Sequence, residues 1–472
     1  MAEAPHLTPA AIAGNRFGLG IRADEPVPQD PKAWLLGQFQ TYPALPAAWA
    51  NQPSSATLSG DLADRQRALR DAASSSDKEA LRKTYGQLVR ETYRAAVNAR
   101  VAAALTTPAP FVERLVYFWS NHFAVSVEKP AVAMLAGSFE AEAIRPHVLG
   151  RFEDMLLAVE RHPAMQIFLD QVRSVGPDSM AAERAAQRNP DHAPGLNENL
   201  AREIMELHTL GVRSGYSQDD VTEFARALTG WSIGGLAAAR PGRNGALGET
   251  AGPGQFIFRP QLHEPGSRTI MGRVYDQRGE AQALAVLHDL ATAPATAQHV
   301  ADKLARHFVA DTPPPALVEK LAEAFQRNGG DLPSVYRVLI ETPEAWAPVA
   351  SKFKTPWDWT LSSLRGLNRS EIGELQAAPL LTQLGQTVWK PGSPAGYDDL
   401  AASWAAPDAL VRRVEVAQRF ASKVGDSLDA RTLGPLLLAN SLSESTASAV
   451  SHAESASTAL ALLLVSPDFQ RR

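Results

Sequence analysis

Residues 81–106 read LRKTYGQLVRETYRAAVNARVAAALT. Leu81, Tyr85, Leu88, Ala96, Val97 and Val101 fall close to one stripe of a helix with about 3.6 residues per turn. The segment Thr106-Thr107-Pro108-Ala109-Pro110 breaks the pattern, and Pro110 suits the first turn of a following helix. That helix carries Phe111, Leu115, Phe118 and His122 on one face. Helical periodicity of this kind recurs to the end of the chain, and the expected fold is mainly α, a large multi-helix domain.

Working outward, residues 8–40 read as a helix pair around Asn15-Arg16-Phe17-Gly18-Leu19-Gly20, whose glycines predict close backbone approach. Residues 41–80 read as a surface connection with a short helix. Two helices are expected between Glu140 and Asp170, parted near Arg161-His162-Pro163, then a long loop over 173–195. Asn197 is expected to cap a helix that Gly211 stops, and Ser217 with Asp220 to open the next as a capping box. Phe256-Ile257-Phe258 and Thr269-Ile270-Met271 are expected to pair as a small β-hairpin or ribbon, with His263 in the loop between. The expected organisation is N-terminal helices and connection (1–80), a central helical region (81–231), a loop-rich insertion (232–278) and a C-terminal helical region (279–472), with a Ser-rich interruption near 441–457.

The 472 residues carry 46 Lys and Arg against 51 Asp and Glu, a net charge of −5. No basic cluster offers an electrostatic footprint for nucleic acid. There is no cysteine, which removes disulfides, thiolate metal sites and cysteine nucleophiles. No apolar run reaches the length of a membrane span. Met1 to Ala10 lack a charged region ahead of an apolar one, so the sequence as written predicts a cytoplasmic chain without a signal peptide.

Several strings are longer than generic helix text: Phe118-Trp119-Ser120-Asn121-His122-Phe123; Arg161-His162-Pro163-Ala164-Met165; and residues 195–212, GLNENLAREIMELHTLGV, running on through Gly215-Tyr216-Ser217 to Thr229-Gly230-Trp231. A later one joins Pro294-Ala295-Thr296-Ala297 to Lys303-Leu304-Ala305-Arg306-His307-Phe308-Val309. Together they closely resemble the bacterial family known as domain of unknown function 1800, over roughly residues 10–470. That family usually has His before Pro-Ala-Thr-Ala, where this chain has Ala293. The resemblance implies a mostly helical fold and brings no settled activity. It also implies a genetic neighbour, a sulfatase-like protein of the domain of unknown function 1501 family, often exported by a twin-arginine signal. Co-export of this chain to the periplasm with such a partner is the alternative to a cytoplasmic location.

On the 197–211 helix, Leu200, Ile204, Leu207 and Gly211 form the expected buried stripe. His208 lies at its margin, readable as packing or as a general base. Glu198, Arg202 and Glu206 form an i, i+4, i+8 ladder, readable as a solvated ion-pair row or as a polar cluster that orients a ligand. With Asn197 these are the candidate catalytic residues. Trp119, Asn121 and His263 are candidate substrate-binding residues. His122, His147 and His162 are candidate ligands for a divalent transition metal, each equally readable as a helix-end hydrogen-bond donor. No His-Glu-x-x-His, Glu-x-x-His pair, Gly-x-Ser-x-Gly or phosphate loop occurs. The sequence thus points to a metal-assisted hydrolase or oxidoreductase where the central helices converge, or to a non-catalytic assembly or export partner. A third reading, carbohydrate binding without turnover, rests on Trp119, Trp231, Trp389 and Trp404 as stacking faces.

Overall fold

The fold is seen in a computed structural model, which describes residues 6–26, 28–188, 195–235, 251–371, 373 and 376–472. It is mainly α, with two antiparallel two-stranded ribbons as the β-structure among these residues. No described helix is long and apolar enough to cross a membrane.

The helix expected from Leu81 runs Ser75–Thr106, with the Ser74 side chain accepting from Asp77 N as its cap. At 1.5 Å per residue its 32 residues span about 48 Å. The expected stripe holds in the C-terminal half, where Ala96, Val97 and Val101 are buried. It fails at Leu88, which is exposed. The N-terminal half is largely exposed and packs on the Ser55–Asp71 helix, where the Arg65 guanidinium lies 4.3 Å from the Tyr85 ring centroid.

The next helix, Pro110–His122, runs through the centre and is buried on nearly every face, Glu113 and Arg114 included. Around it the apolar residues from Leu7 to Phe469 form one contiguous cluster. The C-terminal part closes onto it: helix Pro294–Phe308 packs on Pro315–Arg327, and Pro407–Val424 packs on Ala456–Val465. In the Ser-rich 441–457 stretch, Ser443 and Ser455 each cap a helix.

Buried arginines hold the irregular connections. Arg16 donates to the carbonyls of Ala345, Ala347 and Val349 at 2.7, 2.8 and 2.6 Å. Arg114 donates to Gly18 O and Arg365 to Gly20 O. Coil leaves carbonyls without helical partners, and one guanidinium supplies five donors. Gly20, at φ +99°, lies against Ser362, where a Cβ would come within 2.6 Å of the serine Cβ. The close approach expected at this glycine is present.

The expected pairing of 256–258 with 269–271 is corrected. Phe256–Phe258 pairs with Trp231–Ile233, and Arg268–Ile270 pairs with Arg273–Tyr275 through a turn at Met271 and Gly272. Trp231 ends a helix-to-strand turn at Gly230 and brings its own partner edge, which periodicity around 256 cannot reveal. The expected 173–195 loop carries a helix, Met180–Arg188, and its last part lies outside the described residues, as do residues 236–250 of the 232–278 segment.

Candidate functional site

The 199–208 helix departs from the ideal. After Asn199–Glu203 it widens into a π-turn over Ile204–His208. Hydrogen bonding from i to i+5 shifts the inward face by a residue. Leu207, expected in the buried stripe, is half-buried, and His208 is turned fully inward. His208 Nδ1 lies 2.7 Å from Glu160 Oε1, with both groups buried. The carbonyls of His208 and Leu207 accept from His122 Nε2 and His299 Nε2, both at 3.1 Å. Burial, reinforced by the charge of Lys303, holds the His122 ring well below the usual imidazole range, and pushes His299 down to about 4. These neutral rings cap the end of the π-turn.

The other sequence candidates are dispersed. Glu198 accepts from Arg202, Gln218 and Thr222 at 3.0, 2.8 and 2.7 Å, tying its helix to Gln218–Leu228. Its carboxyl is held low chiefly by the Thr222 hydrogen bond. Glu206 is half-buried and meets the Tyr216 hydroxyl. Asn197 Oδ1 accepts from Asn199 N at 2.9 Å, so it turns the chain just ahead of the helix. The Ser217–Asp220 capping box is present. Trp119 is core, its indole donating to Tyr336 Oη at 2.6 Å. His263 holds the Thr229 carbonyl at 2.9 Å. His162 caps its helix through Nδ1 and lies 3.4 Å from Glu142. His147 is half-buried, its pKa lowered by burial. Among the described residues, no group of three or more His, Asp or Glu is arranged to hold a metal ion. His122, His147 and His162 are therefore not gathered into one ligand set.

Asn121 leads elsewhere. Its side-chain amide accepts from Tyr397 N at 2.7 Å and donates to Tyr397 O at 2.8 Å, latching the 386–400 loop onto the central helix. Gly396, at φ +86°, touches the same residue, and a Cβ there would fall 2.3 Å from Asn121 O. Beneath this loop is a cavity of about 80 Å³ whose walls include Arg100, Ser120, His307, Trp357, Asp358 and Trp389. One water needs roughly 10–15 Å³ of such space, so the chamber suits a few heavy atoms.

His307 Nδ1 lies 2.7 Å from Asp399 Oδ2. Its Nε2 is buried and has no partner among the described residues. Burial lowers the His307 pKa, and the Asp399 charge only partly restores it. The ring is thus neutral at neutral pH, with the proton on Nδ1 toward the carboxylate. Burial alone raises the Asp399 carboxyl, but His307, Lys352 and Arg472 outweigh it and hold the acid strongly ionised. Asp358 sits between Arg114 at 3.1 Å and Arg472 at 3.3 Å. Arg100 lies 4.4 Å from the ring centroids of Tyr117 and Trp357 and 5.3 Å from that of Trp389, with Nε donating to Glu140 at 2.7 Å. Ser120 Oγ is buried without a partner among the described residues.

A carboxylate-oriented imidazole, one nitrogen free beside an aromatic-walled cavity, can act as a general base. Of the sequence candidates Asn121 and, from the stacking tryptophans, Trp389 line this chamber. His307 was visible in the Lys303–Val309 string, and Asp399 follows the Pro391–Gly396 loop. Nothing in their spacing links two residues 92 positions apart.

No curated protein and no solved structure matches the chain. The model of one family, described as protein of unknown function (DUF1800), matches residues 12–471, essentially the whole chain. The chain belongs to the DUF1800 family.

Proposed function

We propose that this protein is a hydrolase in which the Asp399–His307 dyad acts as general base. The observation that carries the reading is the free, buried Nε2 of a histidine whose other nitrogen is held at 2.7 Å by an ionised carboxylate. Water gives a proton to Nε2 as its oxygen attacks the electrophilic centre. The imidazolium then returns that proton to the leaving group, and Asp399 stabilises the transient positive charge. Trp357 and Trp389 offer apolar faces to a small substrate, and Ser120 Oγ offers a free donor and acceptor.

The test is turnover of chromogenic esters, amides, phosphoesters and glycosides by the protein and by His307→Gln. General-base catalysis contributes about 10²–10⁴-fold, so a loss of that order is expected in the variant, with its melting temperature preserved. Burial keeps His307 unprotonated below the usual imidazole pKa, so the acid limb of the rate profile is expected below pH 6.5. Hydrolysis that is indifferent to His307→Gln would overturn the assignment.

A further inference from the structure

A second chamber, of about 390 Å³, adjoins the first and shares Asn121, Tyr397, Asp398 and Asp399 with it as a common wall. Lys303, Arg306 and Asp311 complete its charged lining. The acids there are all engaged. Asp311 accepts from Lys352 Nζ at 2.7 Å and from Ala401 N at 2.8 Å. Asp398 accepts from Ser403 Oγ at 3.0 Å, and Asp399 is held by His307. Arg306 is also engaged, with Asp302 at 2.9 Å and Asp311 O at 3.3 Å.

Lys303 differs. Among the described residues its ammonium has no hydrogen bond and no ion pair within 4.0 Å. It stands on the Pro294–Phe308 helix one turn before His307 and one turn after His299. Its charge depresses the nearby rings of His122 and His299, neither of which can neutralise it. Burial pushes the amine itself down to about 8, and the charges of Asp399 and Asp302 offset this only in part. A half-buried cation in a cavity costs solvation energy that only an anion repays.

We infer that the outer chamber is an oxyanion subsite in which Lys303 binds the phosphate or carboxylate of an acidic substrate. The substrate would span both chambers, with its anionic end at Lys303 and its scissile bond at His307. The anion subsite stands on the chamber and Lys303 alone, while the placement of the scissile bond rests on the dyad reading above.

The test is equilibrium binding of two probes, inorganic phosphate and succinate, which separates the two sources of negative charge. Wild type is expected to bind at least one. Lys303→Met is expected to weaken that probe at least tenfold and Lys303→Arg to restore part of the loss, since a loss of 1.4 kcal/mol is tenfold. Circular dichroism and melting of the variants report whether they fold, and Lys303→Arg keeps the test alive if Lys303→Met does not. Failure of both probes to bind wild type, or equal binding by a folded Lys303→Met, would sink the subsite. Anion binding without His307-dependent turnover would sink only the dyad. His307-dependent turnover without anion binding would sink only the subsite.

Discussion

Lys354 carries its amine 3.1 Å from Ser362 Oγ and 4.1 Å from the Phe469 ring centroid. Burial pushes it down to about 7 from 10.5, against the pull of Asp358 and with the push of Arg114, Arg472 and Arg413. Between those values the unfolded chain binds the proton that the folded chain does not. Stability from this group therefore rises with pH across that window and is lowest at and below pH 7. A buried ammonium without an ion-pair partner costs solvation energy that an apolar side chain of similar size does not. Lys354→Met is expected to raise stability in urea unfolding at pH 6, with the gain shrinking by pH 10. A loss of stability at pH 6 would show that the ammonium is better solvated here than its surroundings suggest. At this scale the sequence was least legible. Lys354, Asp358, Asp399 and Arg472 look like ordinary surface charges until the fold buries them together.

Elements were legible where local chemistry decides them. Ser217 caps its helix through a side-chain bond to the third residue on, and Pro110 opens one; Ser74, Ser443 and Ser455 cap helices in the same way, in stretches whose sequence reads as a connection and a Ser-rich interruption. Such signals are contained within a few residues. The π-turn at Ile204–His208 was not legible, because a pattern read at 100° per residue cannot register a widened turn. The strand partners were not legible either, since each three-residue strand is too short to specify one. The 386–400 loop has its own test. Gly396→Ala adds a Cβ that would meet Asn121 O at 2.3 Å, at a backbone angle that disfavours it. The expected result is a loss of about 1–3 kcal/mol and faster proteolytic cleavage within 386–400. Unchanged protection there would mean the loop does not depend on its seat at Asn121.

The whole molecule is stabilised by more than its apolar cluster. Glu113, buried, accepts from Arg145 at 2.5 and 2.9 Å and from the Tyr117 hydroxyl at 2.7 Å. Arg145 also reaches Glu140, which in turn pairs with Arg100 of the chamber wall. Breaking a buried pair from one side costs about 3–5 kcal/mol, because the partner charge stays behind. Glu113→Gln is expected to lower the unfolding free energy by that order in one cooperative transition. A change below about 1 kcal/mol would mean that Glu140 alone satisfies Arg145. The mainly α class was legible at this scale, since periodicity repeats along most of the chain. The site was not: its walls come from segments near residues 100, 120, 307, 357 and 389–399, and only tertiary packing joins them. The Asn121 amide, finally, would set a pace on the proposed reading. A molecule passing between the two chambers would cross the segment it latches. Residence at the dyad would then be counted in openings of a loop, on the microsecond-to-millisecond scale of such motions, and a tight product would leave at the rhythm of two hydrogen bonds rather than at the rate of diffusion.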